Sequence, residues 1–237
     1  QAEDGIRDRS PSRGLGDVYK RQPLILACFI GCSSSTNDWQ ILFDGTNTEQ
    51  WRGFGKENFP EDNWKVENNS LKTIPRLKNT VDIITKDKYQ NFELELEWKV
   101  SKAGNSGIFY FASESQSYIW QSAPEMQVLD NDNHPDGKNP RTSAGSLFAL
   151  IAPNNGKTKS VGKFNKARIK VLKNRVEHWL NGVKILEYVY QSNAMWELVD
   201  KSKFKDMPYF GKSTIGHIGL QHHGEEVWYR NIRIRKL

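Results

Sequence analysis

One short stretch of the 237-residue chain combines residue types that could move protons. Glu125, Gln127 and Asp130 have the spacing E-x-Q-x-x-D, and His134 follows four residues later. Carboxylates and imidazoles are the side chains that enzymes use most often as general acids and bases. We therefore treat Glu125, Asp130 and His134 as candidate catalytic residues, with the Gln127 amide beside them.

The first half of this stretch reads as a β-strand. Side chains of a strand alternate between its two faces, so Glu125 and Gln127 share a polar face while Met126 and Val128 point into a core. Asp130 has the wrong parity for the polar face, and a β-bulge would bring it there. The alternative is an ordinary strand that leaves its sheet through an Asn/Asp-rich turn.

Other polar side chains could complete a site. Alternation places Gln221, His178 and Arg230 on strand faces, while Asn105 and His223 fall in turns. A histidine in such a place can act as a base, a metal ligand or a hydrogen-bond donor to sugar. For His178 the alternative that we favour is a solvated strand residue, and for Arg230 it is a structural corner in which the guanidinium holds a carboxylate.

A divalent cation is a further possibility at the same stretch. Asp130, Asp132 and His134 lie close together in sequence, and Ca²⁺ or Mg²⁺ sites are built from loops that offer such oxygen ligands. The spacing is not that of a known calcium loop, so the pattern indicates a possible cation without identifying it.

The composition excludes several classes of function. The formal net charge is +6, but no run of five or more Lys/Arg occurs, so we expect no nucleic-acid partner. The Gly-containing segments do not open helices, which excludes dinucleotide and P-loop sites. Neither a Gly-x-Ser-x-Gly elbow nor a His-Glu-x-x-His motif occurs.

The first part of the chain does not read as part of the folded domain. Residues 1–22 show no apolar periodicity and resemble translated adapter sequence, so we expect a non-native or disordered leader. Residues 23–38 resemble a truncated lipoprotein signal and tether, with Cys32 as the lipidated residue. This predicts an exported periplasmic or outer-membrane lipoprotein that is anchored to the membrane surface. The alternative is a cut-off ordinary signal peptide, which also implies export.

Residues 39–237 read as one all-β domain of about a dozen short strands. The segment 92–100 alternates apolar and charged residues without a break, which predicts buried Phe92, Leu94, Leu96 and Trp98 and an exposed charged face. Asn181-Gly182 is a strong hairpin signal. Residues 146–152 read as another short strand, and one short helix is expected near residues 196–199. The pattern predicts a β-sandwich or barrel.

Several strings in this domain resemble one family, the 3-keto-disaccharide hydrolase domain family. They are Leu42-Phe43-Asp44-Gly45, Gly104-Asn105-Ser106-Gly107-Ile108, Pro124-Glu125-Met126-Gln127-Val128-Leu129-Asp130, Asn181-Gly182, and Gly219-Leu220-Gln221-His222-His223-Gly224 followed by Arg230-Asn231-Ile232. The resemblance covers the domain from residue 39 to residue 237. It implies a concanavalin A-like jelly-roll sandwich and cleavage of glycosides whose sugar is a ketone at C3.

The resemblance also implies roles for the candidate residues. A ketone at C3 makes the C2 proton acidic; a base removes it, the enolate expels the C1 substituent and water adds back. Glu125 or His134 would be the base, and Arg230, His223 or a cation would hold the enolate oxygen. The substrate-binding residues would be Gln127, Asn105, Gln221, His223 and Arg230, with the catalytic group made of Glu125, Asp130 and His134.

Two other functions stay open on the sequence alone. The E-x-Q-x-x-D spacing is similar to the Glu-x-Asp-x-x-Glu of laminarinase-type retaining glucanases, which need two carboxyl groups about 5–5.5 Å apart. The bulge would have to bring Glu125 and Asp130 into that arrangement. The other function is a non-catalytic carbohydrate-binding module, which needs aromatic and amide side chains but no tuned base.

Overall fold

A computed structural model describes residues 38–237 of the chain. The predicted leader, and nearly all of the predicted signal and tether with Cys32, lie outside the described residues and stay predictions. Thirteen strands and one α-helix form in the described part of the chain. They are β1 Gln40–Phe43, β2 Trp51–Gly53, β3 Trp64–Glu67, β4 Ser70–Thr73, β5 Ile83–Thr85, β6 Phe92–Val100, β7 Asn105–Ala112, β8 Glu125–Leu129, β9 Asn165–Leu172, β10 Arg175–Leu180, β11 Val183–Val189, α1 Asn193–Asp200, β12 His217–Leu220 and β13 Val227–Lys236.

The strands form two antiparallel sheets. The eight-stranded sheet has the order β11-β10-β9-β6-β13-β4-β3, with β1 also paired to β13, and the five-stranded sheet has the order β2-β5-β12-β7-β8. One hydrophobic core of buried side chains is drawn from both sheets. The all-β prediction is therefore confirmed. Within residues 38–237 no helix is long and apolar enough to cross a membrane.

Turn chemistry explains several of the connections. Asn181 and Gly182 both have positive φ, of 50° and 87°, as the predicted two-residue hairpin between β10 and β11 requires. The expected short helix is α1, which Ser192 caps by accepting a hydrogen bond from the Met195 N–H. Residues 146–152 do not form the predicted strand, because Leu147 makes only isolated bridges to Met126 and Ile151.

Alternation predicts one face of strand β6 correctly and the other face only in part. Its apolar residues are buried as predicted. The prediction that the opposite face is exposed was wrong for Glu93 and Glu95, which are only 5% and 4% exposed. Arginines of β9 and β13 cover them: Arg235 donates to Glu93, while Arg168 and Arg233 donate to Glu95. Cross-strand ion pairs of this kind form a second, charged layer over the sheet.

His178 is a core residue, so the expectation of a solvated strand residue was wrong. It is fully buried. Its Nε2 lies 3.0 Å from the Tyr110 hydroxyl and its Nδ1 lies 3.1 Å from the Gly145 carbonyl oxygen. The Tyr110 hydroxyl is also 2.7 Å from that of Tyr188. Burial lowers the pKa of His178 to about 4, which keeps the imidazole neutral and suits a structural role.

Leu96→Ala should lower the free energy of unfolding by about 2–5 kcal/mol, because it leaves a cavity in a close-packed core. Glu97→Ala is the matched control, since Glu97 is a half-buried neighbour and its ion pair with Arg230 should contribute no more than about 1 kcal/mol. Urea unfolding measures both. Equal losses would contradict the assignment of faces.

Glu95 should make the stability of the fold depend on pH in acid. Burial would raise its pKa, but hydrogen bonds from Arg233 and Lys166 and the charges of Lys166 and Arg168 bring it down to about 2 from an ordinary 4.5. Its stabilisation is thus complete above pH 4.5 and is lost as the pH falls toward about 2. Glu95→Gln should flatten the fall in stability over that interval in acid titrations followed by circular dichroism.

Candidate active site

A polar groove of about 340 Å³ lies on the outer face of the five-stranded sheet. It is open to solvent and combines carboxylates, amides, imidazole, ammonium and aromatic rings. The lining residues are Asn105, Trp120, Glu125, Gln127, Asp136, Phe148, Lys203, Gln221 and His223. The volume suits one or two sugar rings, and clefts with a few convergent polar groups are the usual sites for small molecules.

The register of β7 and β8 places the floor of the groove. Asn105 pairs with Leu129 and Gly107 pairs with Gln127 without any irregularity along the ladder. Glu125 and Gln127 therefore share one face, as predicted from alternation, while Met126 and Val128 are buried in the core. Gln221 follows β12 and joins the same floor, because its N–H donates to the Gly107 carbonyl at 3.0 Å.

Gly107 provides the space for the Glu125 carboxyl group. A Cβ atom at position 107 would lie 2.1 Å from Oε1 of Glu125 and 2.6 Å from its Cδ. No real Cβ approaches another atom so closely, so any larger residue would displace the Glu125 side chain. The Gly in the Asn-Ser-Gly-Ile string is thus explained by the contact that it permits.

Glu125 has the properties of a base that works near neutral pH. It is 6% exposed. Burial raises its pKa to about 8, with Lys203 opposing the change and the nearby carboxylates Asp82 and Asp136 adding to it. A carboxyl group with such a pKa can accept or donate a proton under physiological conditions.

A chain of amides connects Glu125 to His134. The orientation of Gln127 that satisfies its surroundings turns Nε2 toward Oε1 of Glu125 and the Ser106 carbonyl, both at 2.9 Å. The Gln127 oxygen then faces the Asn105 amide, 3.3 Å away. Asn105 must in turn direct its own oxygen toward Nε2 of His134, at 3.5 Å.

The tautomer of His134 agrees with this direction. Its Nδ1 accepts the Asp136 N–H at 3.1 Å, so the neutral ring carries its proton on Nε2 and can donate to Asn105. All donors in the chain then point toward Glu125, and the last bond favours the ionised carboxylate. His134 does not line the groove. It lies behind Asn105, with its ring centre 6.3 Å from that of His223.

The loop after β12 brings His223 to the groove, and Asp82 holds that loop. The Asp82 Oδ1 accepts the backbone N–H of His222 at 2.8 Å, and the His222 ring is buried with Nε2 2.9 Å from the Ile74 carbonyl oxygen. Burial raises the pKa of Asp82 to about 7, although the His222 hydrogen bond opposes the change. His223 remains largely exposed at the rim, with Nδ1 3.1 Å from Glu225.

Lys203 is a cation of the groove that the sequence did not single out. It comes from the segment after α1 that reads as irregular, and its Nζ lies 4.2 Å from the centre of the Phe148 ring. Burial lowers the pKa of Lys203, with Glu125 and Asp136 opposing the change. Trp120 and Asp136 were missed as well, because both belong to loops without a strand pattern.

Asp130 does not join Glu125 in the groove. No bulge shifts it, because the ladder between β7 and β8 is regular. Its carboxylate accepts hydrogen bonds from the Ala103 N–H at 2.8 Å, the Asp132 N–H at 3.2 Å and the Asn133 amide at 2.8 Å. Asp130 therefore fixes the loops that flank the strand, which is the turn chemistry weighed above as the alternative.

Arg230 lies on the other side of the molecule, so its placement in the groove was wrong. Its neighbour Tyr229 is fully buried in the core, and alternation turns Arg230 to the outer face of the eight-stranded sheet. There its Nε donates to Glu97 at 2.7 Å, and its guanidinium carbon lies 3.7 Å from the centre of the Phe164 ring. Arg230 therefore holds a carboxylate of β6, which is the structural role predicted from the sequence as the alternative.

The described residues near Asp130 do not form the cluster of ligands that the predicted cation would need. Within residues 38–237 no three His, Cys, Asp or Glu side chains converge as metal ligands. Asp130 is engaged by backbone and amide donors, and Nδ1 of His134 by the Asp136 N–H. A divalent cation thus stays a prediction that an experiment with chelator can test.

Comparisons with known proteins identify relatives over nearly the whole described chain. Residues 38–235 match the family described as 3-keto-alpha-glucoside-1,2-lyase-like domain. A protein of Bacteroides thetaiotaomicron named 3-keto-disaccharide hydrolase is 39% identical in an alignment 225 residues long that covers 83% of this chain and 77% of that protein.

Solved structures agree on the fold. A Parabacteroides distasonis protein, provisionally named a glycosyl hydrolase, superposes with a TM-score of 0.76 at 27% identity, covering 84% of this chain and 94% of that one. A Bacillus subtilis protein with a galectin-like fold has a TM-score of 0.53 at 13% identity, over 84% of this chain and 95% of that one. The predicted concanavalin A-like jelly roll is confirmed.

Gly107→Ala should be far less tolerable with Glu125 present than without it, because the new methyl group clashes with the Glu125 side chain. We expect Gly107→Ala to destabilise the wild-type protein by about 1–3 kcal/mol and to cost much less in the Glu125→Ala background. A double-mutant cycle by urea unfolding measures the coupling. Equal losses in the two backgrounds would show that the contact is not what requires glycine.

Proposed function

The chain belongs to the 3-keto-alpha-glucoside-1,2-lyase-like domain family, and from this premise we propose that it cleaves 3-keto-glucosides or 3-keto-disaccharides by elimination and water addition. The observation that carries the proposal is the position of Glu125, a buried carboxyl group with a pKa of about 8 on the floor of a sugar-sized groove. The hydrolase-like activity of the family agrees with a base placed in this way.

The proposed reaction begins with removal of the C2 proton. The Glu125 carboxylate takes that proton, and the electrons of the C2–H bond form the C2–C3 double bond of an enolate on the C3 oxygen. The enolate then re-forms the ketone, the C1–O bond breaks with its electrons going to the leaving oxygen, and a C1–C2 double bond results. The leaving oxygen takes up the proton that Glu125 removed and departs as an alcohol, which returns Glu125 to its ionised form. Water adds across that double bond to give the free 3-keto sugar.

The enolate oxygen needs a positive or hydrogen-bonding partner. Arg230 is too distant to act, since it lies on the opposite face of the sandwich. Lys203 and His223 both line the groove with Glu125, and Lys203 is the one whose charge acts on Glu125. We assign Lys203 to the enolate oxygen, with Asn105 and Gln221 binding the sugar hydroxyl groups. Gln127 was predicted to bind substrate, but it is 1% exposed and its amide holds the Glu125 carboxyl group. His134 positions Asn105 and, through it, Gln127.

The two other functions find less support in the geometry. A retaining glucanase of the predicted kind needs Asp130 as the second carboxyl group beside Glu125, and Asp130 is held by three donors outside the groove. The second carboxylate of the groove is Asp136, which lies outside the E-x-Q-x-x-D spacing. A carbohydrate-binding module has no use for a buried carboxyl group whose pKa is raised to about 8, which lowers stability at neutral pH.

Glu125→Gln should abolish turnover of a 3-keto-glucoside, because a general base contributes about 10²–10⁴-fold in rate. In the wild type, kcat should rise with pH along a limb near pH 8, since only the ionised form of Glu125 accepts the proton and its pKa is about 8. Steady-state kinetics between pH 5 and pH 10 check both results. A variant with normal rates would refute the proposal.

The same substitution should change stability in the opposite direction. The folded protein binds a proton at Glu125 up to about pH 8, whereas the ordinary pKa is 4.5, so wild-type stability falls as the pH rises between these values. Glu125→Gln should lack this fall and melt no lower than the wild type at pH 8. Thermal melts at pH 5 and pH 8 thus separate loss of the base from loss of the fold.

Two assays distinguish the chemistry from its alternatives. The wild type should cleave a 3-keto-glucoside and leave the corresponding glucoside intact, because only the ketone acidifies the C2 proton; equal hydrolysis of both would indicate an ordinary glycosidase. EDTA should leave the rate unchanged if Lys203 holds the enolate. A loss of rate that added Mg²⁺ or Ca²⁺ restores would indicate the divalent cation instead.

A further inference from the structure

Two aromatic rings form a stacked pair at the edge of the groove. The rings of Tyr118 and Trp120 are stacked, with centroids 5.7 Å apart and planes 17° from parallel. Trp120 lines the groove that contains Glu125, whereas Tyr118 is 59% exposed and extends the pair outward. An exposed aromatic ring at the edge of a polar groove can stack on the part of a ligand that extends out of the groove.

The segment that carries this aromatic pair is well anchored. Ile119, between the two rings, is fully buried, and its Cδ1 occupies the space where a Cβ at Gly219 would lie, only 2.4 Å away. The Tyr118 N–H donates to the Gln121 side chain at 3.0 Å, which closes a short 3₁₀ helix over Ile119–Gln121. A surface fixed in this way is ready to bind without first being ordered.

The groove has a polar part and an aromatic part. Amide groups of Asn105 and Gln221 line the sheet floor with Glu125 and suit a sugar that carries several hydroxyl groups. The aromatic part is lined by Trp120 and Phe148 and leads to Tyr118. Lys203 lies where the two parts meet, because its charge acts on Glu125 and its Nζ is 4.2 Å from the centre of the Phe148 ring and 5.7 Å from that of Trp120. If the 3-keto ring is bound at the polar part, where the C2 proton must meet Glu125, its C1 substituent is what remains for the aromatic part.

We propose that the Tyr118–Trp120 pair binds the leaving group by stacking on its ring and selects 3-keto-glycosides whose leaving group carries a ring with an apolar face. This inference rests on the proposed function. A pyranose ring and an aryl ring share that chemistry, since each presents C–H or π surface to an indole. The binding energy of this remote ring can lower the barrier at the reacting carbon. Substitutions in the aromatic pair should therefore lower kcat/KM.

The test compares three substrates that differ only in the leaving group. Methyl 3-keto-glucoside has no ring there, a 3-keto-disaccharide has a pyranose, and benzyl 3-keto-glucoside has an aryl ring on an alcohol that is about as acidic as methanol. We expect the wild type to favour at least one ring-bearing substrate over the methyl glycoside by about tenfold or more in kcat/KM. The ring-bearing substrate that is favoured shows whether the aromatic pair prefers a pyranose or an aryl leaving group.

Trp120→Ala should bring that preference close to one, and Trp120→Phe should restore most of it because a ring face returns. Tyr118→Ala should reduce it by a smaller factor, and this exposed residue can be removed without harm to the core. Trp228→Ala is the matched control: Trp228 neighbours the buried Tyr229 in β13 and faces the opposite side of the sandwich, beneath Lys72 and Lys99. It should leave the preference unchanged.

The outcomes separate this inference from the proposed function. Turnover of methyl 3-keto-glucoside without any preference for a ring would overturn the stacking role while the proposed function stands. The same factor of loss for all three substrates in Trp120→Ala would show that Trp120 only shapes the groove, which also overturns it. If the wild type cleaves none of the three, the proposed function fails and the inference fails with it.

Discussion

The close contact between Glu125 and Gly107 is the constraint on which the site depends. The antiparallel register of β7 and β8 pairs Gly107 with Gln127, which shares a face with Glu125, and the missing side chain of Gly107 leaves room for the Glu125 carboxyl group. Burial in that space raises the pKa of Glu125 to about 8. The properties of the proposed base thus come from packing, and the lower stability at neutral pH is what an exchange between stability and activity would produce.

Residues in regular strands were predictable because alternation needs only one assumption, that one face meets the core. It gave the shared face of Glu125 and Gln127 and the buried side of β6. Where a segment leaves the regular ladder the argument loses its basis. Asp130 is the next residue after β8, and its position follows from the donors of two loops. Lys203 comes from a segment whose path no periodicity describes, so the cation of the groove could not be found without the structure.

The misplacement of Arg230 has a different physical origin. Parity alone cannot say which face of β13 belongs to the groove, because that depends on which sheet the strand joins. β13 joins the eight-stranded sheet, whose outer face pairs carboxylates of β6 with arginines of β9 and β13. The basic residues there neutralise buried glutamates such as Glu95. Several of the chain's basic residues are therefore engaged in ion pairs on this face.

Two kinds of support hold the groove around Glu125. The floor is sheet, and its side chains are fixed by register. The walls are loops, and each is tied down by a buried or partly buried polar group: Asp130 gathers the loops at residues 103 and 133, and Asp82 holds the loop that carries His223. The proposed reaction would have to align a base, a cation and a sugar, and such a site needs its supporting groups locked in this way. Since Asp130 and Asp82 are carboxylates that work outside the reaction, a motif of acidic residues near a strand end is better judged by the donors around each carboxylate than by spacing alone.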